Sequence, residues 1–193
     1  MRVLSVRDLA GLRPVLLDPA ATGIDPVYQV YTDLGDPRWQ NRTEIYSGRI
    51  GKEFPKTFGH YHAVADPETY RVVSGTGILV LQKKHSENGI VVAESVEEVL
   101  LIRAAAGDEL VITPEWGHGW SNINQETLVL LDDWKTGHTA ADYQIEEKLH
   151  GMAYYLVDEG GPKEMANPNY KNPPPVKWLT AMEFKASHQT ENK

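Results

Sequence analysis

Cysteine is missing from the 193 residues, which removes disulfides and thiolate metal sites from consideration. An excess of positive charge is missing too. Nineteen lysines and arginines against 27 aspartates and glutamates leave a formal net charge of -8, the opposite of the basic face that a nucleic-acid binder presents. That balance says little about a small anionic substrate, because a pocket's own groups outweigh the global sum. No stretch approaches the roughly 18 consecutive apolar residues of a membrane span. The opening segment, MRVLSVRDLAGLRPVLLDP, carries arginines and aspartates where a signal peptide has an unbroken apolar core. The expectation is a cytoplasmic chain with neither nucleic acid nor membrane as partner.

What is present reads as one domain of short strands. Its core runs from about 27 to 157, with an N-terminal arm over 1–26 and a C-terminal tail over 158–193 as extensions. Ser5 is positioned to cap a short helix near Asp8. Strands are expected at 27–31, at 43–50 and through the histidines near 60, then from 68 to 84 with Ser74-Gly-Thr-Gly77 as a hairpin turn. A second turn at Ser86-Glu-Asn-Gly89 leads into strands at 90–93, 99–102, 109–113 and 127–134. A helix starts at Thr139, where Thr139 and Asp142 match a capping box, and stops at Gly151 before a strand over 152–157. The tail, with Pro173-Pro-Pro175, is expected to be an extended strap or partly disordered. Strands at this spacing predict an antiparallel all-β sandwich or barrel with minor helix.

Histidines are few, seven in all, yet His60 and His62 stand one residue apart in a strand-like run. Successive side chains of an extended chain point to opposite faces, so the two imidazoles share one face and Tyr61 takes the other. Such a pair is either solvated or a chelate. Its companions are Glu68, six residues after His62, and a later run GDELVITPEWGHGWSN containing Gly107, Pro114, His118 and Asn122. His85, His150 and His188 fall in turns or the tail and are expected at the surface.

An H-x-H…E segment followed by G…P…H…N is similar to the two-part signature of cupins. GKEF at Gly51 to Phe54, T-x-G-H-[FY]-H-A at Thr57 to Ala63, E-x-Y at Glu68 to Tyr70 and P-x-x-x-H-x-x-x-N at Pro114 to Asn122 narrow this further. Over residues 27–151 the chain resembles the cupin-type phosphoglucose isomerases. The resemblance implies a double-stranded β-helix barrel of antiparallel strands, a homodimer, and one divalent metal per subunit held by His60, His62, Glu68 and His118. Three nitrogens and one oxygen suit a first-row divalent ion, with Fe²⁺ or Mn²⁺ first and Zn²⁺ or Ni²⁺ next. It also implies a phosphorylated sugar as substrate, bound by Thr43, Thr57 and the backbone at Gly59, with Tyr28, Tyr70 and Tyr143 lining the sugar pocket. Glu68, His138 and Tyr70 are the catalytic candidates. Three departures stand out. The gap from His62 to Glu68 is one residue short of the isomerase spacing. Trp134 occupies the place of a pocket tyrosine. A G-H-D-Y motif is spread over Gly137-His-Thr-Ala-Ala-Asp-Tyr143.

The implied reaction, interconversion of glucose 6-phosphate and fructose 6-phosphate, moves a proton between C1 and C2 and stabilises charge on oxygen. Glu68 is the base of an enediolate route; as a metal ligand it would be a weaker base, which leaves a hydride shift open. Two other readings share the ligand set. One is an iron dioxygenase and the other a sugar-phosphate-binding cupin without turnover.

Overall fold

The computed structural model describes residues 1–189. Its elements run β1 (Arg2–Arg7), α1 (Leu9–Leu12), β2 (Tyr28–Thr32), β3 (Asn41–Ile45), β4 (Glu68–Ser74), β5 (Thr76–Glu87), β6 (Ile90–Ala105) and β7 (Glu109–Ile112). They continue through β8 (Trp116–Asn122), β9 (Leu128–Asp132), α2 (Ala140–Lys148), β10 (Tyr154–Asp158), β11 (Pro162–Ala166), β12 (Lys177–Thr180) and α3 (Ala181–His188). Six strands form one sheet in the order β1-β2-β3-β9-β4-β7, four form a second in the order β12-β6-β5-β8, and β10-β11 is a separate hairpin. Every pairing within these sheets is antiparallel except β12 with β6. The architecture is the all-β, two-sheeted one that the double-stranded β-helix expectation demands.

Side-chain alternation decides what each strand faces. In β4, Glu68, Tyr70 and Val72 are buried while Arg71 and Val73 are exposed, so one face of the six-stranded sheet is wet. In β5 the run Ile78-Leu-Val-Leu81 is buried on both faces. Leu79 and Leu81 join the interior cluster with Leu100, Ile102, Leu128 and Leu130. Ile78 and Val80 pack outward beneath Phe54, Met152 and Leu156, which accounts for a continuous apolar run in place of alternation.

Several local expectations change. Ser74–Gly77 is not a hairpin turn: β4 and β5 belong to different sheets, and the chain turns the corner at Gly75. There φ is +83°, and an added Cβ would lie 3.1 Å from Leu128 Cα, so only glycine fits without strain. The turn at Asn88-Gly89 does close a hairpin, with both residues at positive φ as a type I′ turn requires. The strands expected at 90–93 and 99–102 are one continuous β6. The strand expected over 43–50 ends at Ile45. Residues 2–7 form β1 instead of leading into a helix capped by Ser5; Asp8 is the cap, accepting from the Gly11 N–H at 2.6 Å.

The tail is ordered through most of its length. Residues 177–180 pair in parallel with Leu100 to Arg103 of β6, and α3 buries Ala181 and Phe184 in the interior cluster. Thr180 accepts from the Glu183 N–H while Glu183 takes the Thr180 N–H, a full capping box. Residues 190–193 of that tail lie outside the described residues.

Candidate metal centre and active-site cavity

The histidine pair does not sit in a regular strand. Residues 56–62 run extended beside β8, joined to it by isolated bridges at Lys56–Ser121 and His60–His118. The His60 N–H donates to His118 O at 3.0 Å and the His118 N–H returns a bond to His60 O at 2.8 Å. The glycines on either side of His118 permit this contact. A Cβ on Gly117 would meet the Tyr61 ring at 2.6 Å, and one on Gly119 would lie 3.3 Å from Gly59 Cα. Helix α2 clamps the same segment from the other side: the Tyr61 N–H donates to Asp142 O and the Ala63 N–H to Asp142 Oδ1. Asp142 also accepts from the Thr139 N–H at 2.6 Å, so the expected capping box serves the site as well as the helix. His150, at φ +58°, and Gly151 end that helix, with the Gly151 N–H donating to Glu146 O.

Four side chains converge as the sequence led us to expect. His60, His62, Glu68 and His118 are all buried, and one ligand atom from each lies within 4.8 Å of the others. Glu68 Oε2 is 2.9 Å from His62 Nε2 and 3.0 Å from His118 Nε2. His60 Nε2 and Glu68 Oε1 have no hydrogen-bond partner although both are sealed from solvent. Unpartnered buried nitrogen and oxygen atoms are costly, and a divalent cation would satisfy them together, so the donor set fits one metal ion. Burial alone would raise the Glu68 carboxyl, but the contacts with His118 and His62 overcome it and hold the group down to about 2. Burial lowers His60 well below the ordinary histidine value, and the neighbouring imidazoles add to the effect. A neutral imidazole is the form that ligates.

Beside this centre opens a cavity of about 630 Å³, counting its open mouth. His60 and His118 reach its wall, while His62 and Glu68 lie behind them. Tyr28, Thr43, Thr57, Gly59, Tyr70, His138 and Tyr143 all line it. The expected residues are thus brought together, including His138 and Tyr143 despite their altered spacing. Thr57 Oγ1 accepts from the Trp120 N–H at 3.0 Å, which leaves its own proton to donate. Gly59 takes φ +81°, a backbone region that suits glycine. Burial, then the neighbouring Glu68 charge, raises the Tyr70 phenol well above its ordinary value. Burial lowers His138, whose ring centroid is 4.2 Å from that of His60. Trp134 stacks on His62 at 3.7 Å and donates from Nε1 to Gly137 O at 3.0 Å. The indole therefore buttresses a ligand and fixes the 135–139 loop in the place of a pocket phenol. His62, His138 and Asp142 form a second convergent group that shares His62 with the first.

Sequence reasoning missed three neighbours of the cavity. Asp132 and Asn41 line it. Arg7 stands at its rim, donating from Nε to Tyr28 Oη at 3.4 Å, with its guanidinium carbon 5.2 Å from the Phe58 ring centroid. Among the described residues no ion pair holds it. Only the pairing of β1 with β2 brings Arg7 opposite Tyr28, and nothing local in the sequence marks it.

The model of the family described as "Glucose-6-phosphate isomerase (GPI)" matches residues 6–173. The chain belongs to that family. Among its curated relatives, the glucose-6-phosphate isomerase of Thermococcus gammatolerans is 33% identical over 179 residues, covering 86% of each chain. That of Pyrococcus furiosus is 31% identical over 183 residues, covering 86% of this chain and 88% of the relative. A putative glucose-6-phosphate isomerase 1 of Rhizobium meliloti is 29% identical over 132 residues, which is 67% of this chain and 56% of that one. The isomerase family's match spans both halves of the candidate centre, the His60–Glu68 segment and His118.

Proposed function

We infer that the chain is a metal-dependent aldose–ketose isomerase interconverting glucose 6-phosphate and fructose 6-phosphate. The observation that carries this is a buried three-histidine, one-glutamate cluster opening on a cavity with phosphate-type donors, in a member of the isomerase family. We assign His60, His62, Glu68 and His118 as ligands of one divalent first-row ion, with Fe²⁺ or Mn²⁺ first and Zn²⁺ or Ni²⁺ next. Such an ion, when bound, supplies Lewis acidity toward the substrate's oxygens.

The protein's own groups supply the remainder. Thr57 Oγ1–H, Thr43 Oγ1–H and the Gly59 N–H donate to phosphate oxygens, and Arg7 offers the positive charge at that rim. Tyr28 and Tyr143 form the walls between. Glu68, beside His62 and His118, is the carboxylate assigned to carry the proton between C1 and C2. Tyr70, kept protonated beside Glu68, donates to the reacting oxygens. His138, at the mouth, exchanges a proton with a substrate oxygen there.

Residues 2–15 and 177–188 pack into the same sheets and core as the rest, which supports a single domain. The homodimer belongs to this reading as well. Strand β1 is an open sheet edge exposing Val3, Leu4 and Val6, and an apolar edge of this kind invites a second copy. Among the described residues no helix is long and apolar enough to cross a membrane, and a phosphorylated sugar as substrate supports a cytoplasmic site of action. The test is the coupled assay of fructose 6-phosphate to glucose 6-phosphate, run in air and under nitrogen. Equal turnover in both supports isomerisation. Oxygen consumption, or sugar-phosphate binding without turnover, overturns it.

A further inference from the structure

Asp132 ends β9 on the inner face of the six-stranded sheet. The register sets it directly between Asn41 of β3 and Tyr70 of β4, so three polar side chains stand abreast across the sheet. The next row inward, Thr43, Leu130 and Val72, is mostly apolar. A carboxylate in this position is only 5% exposed. It lines the same cavity as His60 and His118, and among the described residues it is the sole carboxylate that does so.

Its orientation is fixed through one oxygen. Oδ1 accepts from Asn41 Nδ2 at 2.7 Å and from the Trp134 N–H at 3.2 Å. The Asn41 amide donates again, to Trp134 O at 3.0 Å, so the Asn41–Asp132–Trp134 unit is braced against rotation. Oδ2 has no hydrogen-bond partner among the described residues and faces the cavity. Burial, then the nearby Glu68 charge, pushes this carboxyl up to about 8, so Oδ2 can hold the proton while Oδ1 takes the two donors, and it is the oxygen free to pair with a ligand. The phosphate has donors of its own in Thr43, Thr57 and Gly59, with Arg7 beside them. A neutral hydroxyl of the kind carried by a sugar's C3 to C5 chain, able to accept as well as donate, fits Oδ2.

We propose that Asp132 is a specificity-determining residue that pairs through Oδ2 with one non-reacting hydroxyl of the sugar. The role deepens the isomerase reading and rests on it. The site would then reject analogues lacking that hydroxyl, because the open carboxylate oxygen would be left buried and unpaired.

The test is Asp132→Ala, which removes the open oxygen altogether. Metal-loaded wild-type and variant proteins are compared on fructose 6-phosphate and its 3-, 4- and 5-deoxy analogues, by turnover and by calorimetric binding. The expected result is a roughly 5- to 150-fold loss for the variant on the full substrate, the range for leaving a buried hydrogen-bonding partner unpaired. One deoxy analogue should erase that difference to within about twofold, while metal content stays unchanged. A uniform loss across all four compounds would mark a structural role and overturn the proposal, as would an unaffected variant or one that has lost its metal. Wild-type binding without turnover would sink the isomerase reading while leaving this inference testable by calorimetry. Absence of wild-type binding would end both.

Discussion

Replacing Glu146 with glutamine should flatten the loss of stability that the protein suffers between pH 5 and pH 9. Glu146 sits on the buried side of α2, completely enclosed. Its Oε1 is 3.4 Å from Gln82 Nε2, and Oε2 has no partner. Burial is the largest influence on it, and Lys84 offsets only part, so its carboxyl is pushed from 4.5 up to about 8. The folded protein therefore keeps a proton that the unfolded chain releases above about 4.5. Stability is unaffected by this group below that value, falls through the window, and is fully reduced above about pH 8. At about 1.4 kcal/mol per pH unit the whole loss is at most about 5 kcal/mol. Urea unfolding of wild type and Glu146→Gln, with a chelator present so that metal binding adds no pH dependence of its own, reads the difference. The two should agree near pH 5 and diverge in favour of the variant toward pH 9. Parallel curves across the window would show that Glu146 ionises as readily in the folded protein as in the unfolded one, and would refute the reasoning.

Three further outcomes follow from the site. His60→Ala, His62→Ala and His118→Ala should each lower bound metal in elemental analysis, since each removes one of four converging donors; full metal in any two would dismantle the centre. Thr57→Ala and Thr43→Ala should each weaken fructose 6-phosphate binding by about 1–3 kcal/mol, and Arg7→Met should raise KM for the phosphorylated sugar while leaving free fructose equally poor. Equal turnover of free fructose by the wild type would discard the phosphate assignment. Glu68→Gln, reloaded with Mn²⁺, should remain roughly 10²- to 10⁴-fold slower than wild type, and wild type in D₂O should place deuterium on the substrate carbon; a near-normal rate in the reloaded variant would leave Glu68 a ligand only.

The convergence of His60, His62, Glu68 and His118 was legible because it is written in residue types. Imidazoles at one-residue spacing, a carboxylate downstream and a later Pro…His…Asn run keep their meaning without a fold. Turn chemistry was legible where the turn is local, as at Asn88-Gly89. It misled at Gly75, where the same glycine signal marks a crossing between sheets, a distinction that only tertiary pairing makes. Strand β8 was hidden because WGHGWSN is buried at every position, so neither alternation nor β-propensity reveals it; its glycines are there to admit Tyr61 and Gly59. The α3 capping box at Thr180 and Glu183 carried a readable Thr-x-x-Glu signal that the neighbouring prolines obscured. Asp132 and Arg7 could not be read at all. Asp132 is braced by Asn41 from 91 residues away, and Arg7 meets Tyr28 across 21 residues through strand register.

The most direct measurement strips the metal from the purified protein and follows conversion of fructose 6-phosphate to glucose 6-phosphate as Mn²⁺ or Fe²⁺ is titrated back. The His60–His62–Glu68–His118 centre predicts negligible turnover without metal and a rate that rises linearly to a plateau at one ion per chain. Full isomerase activity in the stripped protein, or none at the plateau, would contradict it.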